Sequence, residues 1–159
     1  GVHIIDLCRW FLGKEVSQVF GRVYNSFWQT EVEDNAFFQM EFGGNVLAQC
    51  HVSWTNWKNI FSFEIFGDQG YLKINGLGGS YGKEKLEIGY RNIDGGVPDI
   101  EKYEFQDVDD SWALEWKEFK KAIKGNKRSI GSGYDGYEAN RIVDAIYRSS
   151  NLRKPISMR

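Results

Sequence analysis

Two residues near the start of the chain, His3 and Asp6, have types and a spacing that could support proton transfer. They are one helical turn apart, so a helix places both on one face. An imidazole can act as a general acid or base near neutral pH. On its own, such a pair more often belongs to a solvated helix stripe on which Asp6 only orients His3 or pairs with its charge. The two residues alone do not establish a site.

A second group with possible chemistry follows the most clearly patterned strand and consists of Trp54, Asn56, Trp57 and Lys58. Aromatic rings beside amide and ammonium groups suit a polar, ring-shaped ligand such as a sugar, and they suit a protein interface equally well. His51 lies within that strand, opposite its apolar face, where a structural histidine is expected. A metal site needs more His, Cys or carboxylate partners than the chain offers, so no metal ligand is predicted.

The glycine-rich stretch 76–82 resembles a phosphate-binding loop only superficially. Such a loop must connect a strand to the N-terminus of a helix, whose free N–H groups hold the anion. Here the following residues, KEKLEIGY, have the pattern of a strand, and Tyr81 stands where the third glycine is required. The stretch is therefore predicted to be a hairpin loop, and no cofactor-binding residue is expected in this chain.

Composition restricts the class of protein. The chain has 159 residues, enough for one domain with a real core, and 16% of them are aromatic, which favours a sheet-rich fold. The net charge of −2, with both signs interspersed, argues against binding to nucleic acid or to an anionic membrane. No run of apolar residues is long enough for a transmembrane helix, and no secretory signal pattern is present. Cys8 and Cys50 are expected to be reduced, packed thiols of a cytoplasmic protein.

The order of the predicted elements indicates an α+β fold with an open, mainly antiparallel sheet and helices on one face. Gly43-Gly44-Asn45 separates two alternating runs, which is typical of a hairpin turn. A Ser-x-x-Asp pattern at Ser132–Asp135 predicts the start of the last helix. The first helix, ended by Gly13, has no capping residue before it. Helices are predicted over 2–12, 109–124 and 133–150, a loop over 26–33, and strands over 15–24, 36–54 (a hairpin), 59–66, 71–74, 84–91 and 101–106.

Taken together, four segments resemble the C-terminal domain of the glucose–fructose oxidoreductase / inositol dehydrogenase / MocA (Gfo/Idh/MocA) family. The first matches the Gly-x-His-x-x-Asp-x-x-x-Trp-x-x-Gly motif, here residues 1–13. The others are Glu33-Asp34-Asn-Ala36 with the turn FGGNVL, the strand pair EIFGDQGYL, and the closing helix from Asp135-Gly136 to Ser149-Ser150. The segments occur in the family's order, and the resemblance covers nearly the whole chain.

The resemblance implies a substrate domain with an open sheet, similar also to the C-terminal part of glyceraldehyde-3-phosphate dehydrogenase. Members of the family transfer a hydride between NAD or NADP, bound by an N-terminal Rossmann domain, and a carbinol carbon, often of a sugar or cyclitol. The resemblance gives His3 the role of acid, base or orienting group beside the substrate, and it gives Asp6 an orienting or structural role. It also implies a homo-oligomer that forms through the sheet face. The aromatic residues that alternate along the strands in 36–66 suit such a contact.

Some family features fall outside the sequence. An Asp that often precedes the family's His by four positions would lie before residue 1, and the nucleotide-binding region and its Glu-Lys-Pro motif are absent. We therefore expect residues 1–159 to form a single substrate-binding and oligomerisation domain that is inactive alone and acts with its own Rossmann domain, because catalysis needs the cofactor held against the substrate. The alternative is a stand-alone, non-enzymatic module of the same fold that binds a ligand or dimerises.

Overall fold

The computed structural model describes residues 1–105, 108–125 and 127–158, which form three helices and eight strands. Their packing divides the chain into two compact units: unit 1, Gly1–Thr55 with Lys121–Arg159, and unit 2, Asn56–Lys120. In chain order the elements are α1 (Val2–Leu12), β1 (Val16–Tyr24), β2 (Asn35–Phe42), β3 (Val46–Ser53), β4 (Ser62–Phe66), β5 (Gly70–Asn75), β6 (Glu84–Tyr90), β7 (Asp99–Phe105), α2 (Ser111–Gly125), α3 (Gly133–Leu152) and β8 (Ile156–Ser157).

The sheet of unit 1 has the strand order β3-β2-β1-β8, and all its pairs are antiparallel. The predicted hairpin is confirmed: Phe42 pairs with Val46, and the turn between them has positive φ at Gly44 (84°) and Asn45 (60°). Along β2, alternate side chains are buried and exposed, as expected for a strand with one packed face. The buried side chains of that face are Ala36, Phe38, Met40 and Phe42.

Helix α3 lies against β1, and a glycine makes this approach possible. A Cβ on Gly21 would lie 2.8 Å from Cγ2 of Ile146 and 3.3 Å from Cβ of Phe38, so no larger residue fits without a shift. Beyond the short strand β8, two serines of α3 satisfy the edge of β1. The N–H of Gly21 donates to Ser149 Oγ, and the N–H of Val23 donates to Ser150 Oγ, both at 3.0 Å. The serine hydroxyls thus replace a neighbouring strand.

The core of unit 1 lies between its sheet and the helices α1 and α3. Cys8 of α1 and Cys50 of β3 are free, buried thiols that contact each other, as the prediction of reduced, packed thiols required. The hydrogen bond between the two sulfurs and the loss of water both raise the pKa of Cys50. The buried hydrophobic side chains are Ile5, Cys8, Val16, Val19, Ala36, Phe38, Met40, Phe42, Cys50, Ala139, Ile142, Ala145, Ile146, Ile156 and Met158.

Unit 2 contains the antiparallel sheet β4-β5-β6-β7, whose two faces differ. One face carries ion pairs that cross between neighbouring strands: Lys73–Glu64 (2.9 Å), Lys102–Glu87 (3.2 Å) and Lys85–Glu104. The other face is apolar across β4, β5 and β6, and on the edge strand β7 it carries Tyr103 and the charged residue Glu101. Its apolar members are Phe63, Ile65, Leu72, Ile74, Leu86, Ile88 and Tyr103, which oppose one another in the strand register. None of the buried hydrophobic side chains in the described residues belongs to unit 2.

The α+β class, the antiparallel strands and the helices packed on one face of a sheet are confirmed, while the strands form two sheets where the sequence analysis expected one. The stretch 76–82 joins the antiparallel strands β5 and β6, as predicted for a hairpin loop. Helix α2 begins at Ser111 rather than at 109, because the Asp109 carboxylate accepts the N–H of Ser111 at 3.0 Å and precedes the helix. The predicted strand 101–106 is observed as Asp99–Phe105, and residue 106 lies outside the described residues.

No helix of the described residues is both long enough and apolar enough to cross a lipid bilayer.

Candidate functional site

A cleft of about 250 Å³ in unit 1 contains both residues of the predicted His3–Asp6 pair. Its walls come from the start of α1 and from the start of α3. We call it the His3 cleft, and it is lined by Val2, His3, Asp6, Gly131, Ser132, Asp135, Gly136, Ala139 and Asn140. Since His3 is exposed, its imidazole is accessible to a molecule in this cleft.

The way α1 packs fixes the direction of His3. Ile5 and Cys8 are buried, so the face of the helix that carries His3 and Asp6 points away from the sheet. The helix begins without a side-chain cap, and the carbonyl of Gly1 accepts the N–H of Ile4 at 3.1 Å. It ends at Gly13, whose φ of 58° is left-handed, as the sequence predicts. The helical spacing of the motif is therefore confirmed.

Arg9 joins three carboxylates beneath the His3 cleft, although only 6% of its side chain is exposed. Its Nε and one terminal nitrogen donate to the two oxygens of Glu15 at 2.9 Å each. Its other terminal nitrogen donates to Asp6 at 3.2 Å and to Asp135 at 3.4 Å. The hydrogen bonds to Glu15 raise the pKa of Arg9, against the effect of burial, so the guanidinium stays charged.

Asp135 has two functions in this arrangement. As the third residue of α3 it accepts the N–H of Ser132 at 2.8 Å and its hydroxyl at 2.7 Å, which completes the predicted capping pattern. Its other oxygen accepts Arg9 from α1. The hydrogen bonds from Ser132 lower the pKa of Asp135, and the charge of Arg9 adds to this effect. Asp135 therefore ties the helix that carries His3 to the start of α3.

The His3 cleft combines an accessible imidazole with carboxylates that are held in place. The imidazole can exchange a proton with a hydroxyl group, and the oxygens of Asp6 and Asp135 can accept hydrogen bonds from neighbouring hydroxyls. Asp6 is bound to Arg9, and its side chain remains 45% exposed, so it can both orient and be reached by a ligand. The part of the chain that the structure describes contains no group of three His, Cys, Asp or Glu residues able to hold a metal ion.

The predicted sugar-binding residues are divided between the two units. Trp54 belongs to unit 1 and is exposed. Asn56, Trp57 and Lys58 begin unit 2, where all three are exposed and Trp57 has a positive φ of 56°. Their role in substrate binding stays a prediction.

His51 has structural contacts, as the sequence analysis expected. Its ring stacks on Phe37, with the ring centroids 4.1 Å apart and the planes at 6°, and its Nε2 lies 3.1 Å from Oδ1 of Asn35. The Asn35 amide in turn donates to Asp34 and to Thr55. His51 is thus part of the hydrogen-bonded start of β2.

Sequence reasoning missed Arg9 as the residue that assembles the site. Its position three residues after Asp6 was a signal for one ion pair on the helix. Its hydrogen bond to Asp135 joins residues 126 positions apart, so no local pattern could have revealed it.

The fold and the site together define the class of this domain. It is an α+β domain with an accessible histidine at the start of its first helix. Residues 1–73 match the family model described as the GFO/IDH/MocA C-terminal domain. Over these residues, a little under half of the chain, the resemblance seen in the sequence motifs is confirmed.

Solved structures share the fold over nearly the whole chain at low sequence identity. The aldose–aldose oxidoreductase from Caulobacter crescentus, complexed with glycerol, superposes with a TM-score of 0.81 at 19% identity, covering 99% of this chain and 46% of that one. Levoglucosan dehydrogenase in complex with NADH and levoglucosan gives 0.81 at 19% identity, covering 98% and 48%. The WlbA dehydrogenase from Bordetella pertussis with NADH and UDP-GlcNAcA gives 0.72 at 19% identity, covering 99% and 43%. The chain thus spans about half the length of these proteins. A comparison with curated proteins found no match to its sequence.

Proposed function

We propose that this chain is the substrate-binding domain of a nicotinamide-dependent oxidoreductase. The parent protein would transfer a hydride to or from a hydroxyl-bearing carbon of a sugar, nucleotide sugar or cyclitol. The observation that carries the proposal is the His3 cleft, in which the histidine of the family motif is accessible beside two fixed carboxylates. Structures of the same fold that were determined with NADH and with sugars support it.

In this proposal His3 handles the proton of the reacting hydroxyl. When the hydroxyl carbon is oxidised, the imidazole accepts the hydroxyl proton, and in the reverse direction it returns the proton to the carbonyl oxygen. Asp6 and Asp135 would hold neighbouring hydroxyls of the substrate and so fix its orientation. Arg9, which holds both carboxylates, would keep this geometry constant during the reaction.

The glycine-rich stretch 76–82 does not suit the pyrophosphate of a nicotinamide dinucleotide. It joins two antiparallel strands, whereas a pyrophosphate is bound where a strand leads into the N-terminus of a helix. We therefore assign NAD or NADP to an N-terminal Rossmann domain of the parent protein. That the chain spans about half of the solved structures it matches supports this assignment.

The test is the substitution His3→Ala in the parent protein, with His51→Ala as the matched control. Loss of a general acid or base lowers kcat by about 10²–10⁴-fold, and because His3 is exposed the melting temperature should not change. His51→Ala removes a histidine outside the cleft and should leave kcat near its original value. Unchanged turnover in His3→Ala would make His3 a structural residue. If the parent did not bind NADH, as followed by nicotinamide fluorescence, the oxidoreductase proposal would fail in favour of a non-enzymatic module.

We also propose that the parent self-associates through the apolar face of unit 2. The side chains of this face, from Phe63 to Tyr103, are only half-buried or exposed, while the opposite face is covered by ion pairs. An apolar sheet face of this kind is typical of a surface that packs against a partner.

A cytoplasmic location is a further proposal, supported by the two free, buried thiols.

A further inference from the structure

Unit 1 contains a second cleft, of about 200 Å³, which shares no lining residue with the His3 cleft. We call it the aromatic cleft, and it is lined by Trp28, Thr30, Val32, Glu33, Asp34 and Trp54. The side chain of Trp54 is 80% exposed and that of Trp28 is 46% exposed. Two large rings are thus presented to solvent on the walls of one small cleft.

The backbone that carries the two tryptophans is held by an unusually complete set of hydrogen bonds. The buried carboxylate of Asp34 accepts the N–H groups of Ser26, Phe27 and Trp28 at 2.7–2.9 Å. The carbonyl of Asp34 accepts the N–H of Trp54 at 2.8 Å. The indole N–H of Trp28 donates to the carbonyl of Trp54 at 3.3 Å, which ties the two walls together. The walls are therefore ordered before any ligand arrives, which lowers the entropy lost on binding.

One acidic group at the edge of the cleft is also fixed. Both carboxylate oxygens of Glu33 accept the hydroxyl of Tyr147 from α3, at 2.7 and 2.8 Å. A carboxylate has about four lone-pair sites, so Glu33 can still accept hydrogen bonds from hydroxyl groups. Because Asp34 adds a second negative charge, the cleft is unfavourable for an anionic ligand.

We infer that the aromatic cleft is a subsite for one uncharged sugar ring. The C–H face of a sugar ring packs on indole, its hydroxyls can donate to Glu33, and the negative charge excludes uronic acids. The volume is below the range of pockets that hold a complete drug-sized ligand, and it suits a single ring. The inference rests on the proposed function only in taking the ligand to be a sugar.

The position of the aromatic cleft extends the inference to the whole substrate. A Cβ placed on Gly1 would lie 3.8 Å from Cγ2 of Val52, so the helix that carries His3 begins beside the end of β3. Val52 is two residues before Trp54, which corresponds to about 7 Å along an extended chain. The aromatic cleft would then hold the second ring of a neutral glycoside whose reacting hydroxyl lies in the His3 cleft.

The experiment measures sugar binding to the 159-residue chain itself, so it needs neither nicotinamide nor turnover. Cellobiose, methyl β-glucoside and glucuronic acid are the probes, and tryptophan fluorescence and saturation-transfer NMR are the measurements. We expect cellobiose to bind more tightly than methyl glucoside and glucuronic acid not to bind. Trp54→Ala should weaken cellobiose binding about tenfold, as loss of an aromatic contact does, and Trp28→Ala should weaken it similarly. Trp10→Ala is the control, because Trp10 is exposed but lines neither cleft.

Several outcomes would overturn the inference. They are absence of binding by any probe, unchanged affinity in Trp54→Ala, or binding of glucuronic acid as tight as that of cellobiose. A change of sedimentation in Trp54→Ala without a change in sugar affinity would identify the cleft as a contact between copies of the chain. Sugar binding that depends on Trp54 in a parent that lacks NADH binding would support the subsite and refute the oxidoreductase proposal. NADH binding without sugar binding in the cleft would do the reverse.

Discussion

Replacement of Arg9 by Met tests the idea that one buried guanidinium assembles the His3 cleft. Methionine keeps much of the apolar stem of arginine but removes its charge and its five donors. The substitution abolishes two hydrogen bonds to Glu15 at 2.9 Å and the longer ones to Asp6 and Asp135. The three carboxylates would then have no shared partner.

The structure sets the size of the effect. Removing one partner of a fully buried ion pair costs about 3–5 kcal/mol, chiefly because the other charge stays buried. Here the side chains of Asp6 and Glu15 are 45% and 52% exposed, so both carboxylates can regain water. Each strong charge-assisted hydrogen bond contributes about 1.5–3 kcal/mol, and exposure of the carboxylates to water reduces this contribution. We therefore expect Arg9→Met to lower the free energy of unfolding by about 2–3 kcal/mol.

Urea unfolding at pH 7, followed by far-UV circular dichroism, measures this loss. A double-mutant cycle with Glu15→Gln should give a coupling energy of about 1 kcal/mol or more, since the two residues share two short hydrogen bonds. Arg148→Met is the matched control. Arg148 is largely exposed and lies 3.9 Å from Asp144, so its loss should change stability by less than about 0.5 kcal/mol.

The acid side of the stability profile gives a second, independent readout. In the folded chain the pKa of Asp135 is lowered, mainly by the hydrogen bonds from Ser132 and to a smaller extent by the charge of Arg9. A lowered pKa stabilises the fold above the carboxyl's ordinary value, and this stability is lost as the pH falls through the folded pKa. Arg9→Met should therefore lose less stability on acidification than the original chain does. An unfolding free energy within about 0.5 kcal/mol of the original, together with zero coupling to Glu15, would refute the role given to Arg9.

Two further predictions concern the loop before β2 and the sheet of unit 2. Burial alone would raise the pKa of Asp34, but the three backbone N–H groups that donate to its carboxylate outweigh burial and lower the pKa. Asp34→Asn should therefore reduce the melting temperature at pH 7 by several degrees and make the melting temperature fall less steeply between about pH 5 and pH 2. A pH profile of the melting temperature, measured by circular dichroism, that is the same in both proteins would contradict this expectation. Tyr103 is exposed on the apolar face of unit 2, so Tyr103→Lys should convert an oligomer into a smaller species in sedimentation velocity. Lys102→Gln, on the opposite face, is its control, and equal sedimentation of both variants would disprove self-association through the apolar face.

The features that could be predicted from the sequence are those encoded within a few residues. Helix α1 with its stop at Gly13, the turn at Gly43–Asn45 and the Ser132–Asp135 cap all depend on interactions between residues at most four positions apart. The family motif singled out His3, the proposed acid–base residue, which local spacing could not distinguish from a solvated histidine.

The features that could not be predicted depend on interactions between distant residues. Trp28 lies in a stretch that resembled only a loop, and its place in the aromatic cleft depends on Asp34 and on the neighbouring strand end at Trp54. The division of the strands between two sheets is equally non-local, because alternation within a strand indicates which face is apolar but not which strand is its neighbour.

The insertion of unit 2 into the sequence of unit 1 has a consequence for how the protein folds. Strand β1 receives its edge partners only from the far end of the chain: Gly21 bonds to Ser149, 128 positions later, and Val19 pairs with Ile156. Because such distant pairings require closure of a long loop, they form slowly. During synthesis, residues 1–55 must therefore wait with an open strand edge while the stretch Asn56–Lys120 is made and can fold by itself. Until those partners are made, residues 1–55 carry an unpaired strand edge, a feature that promotes aggregation.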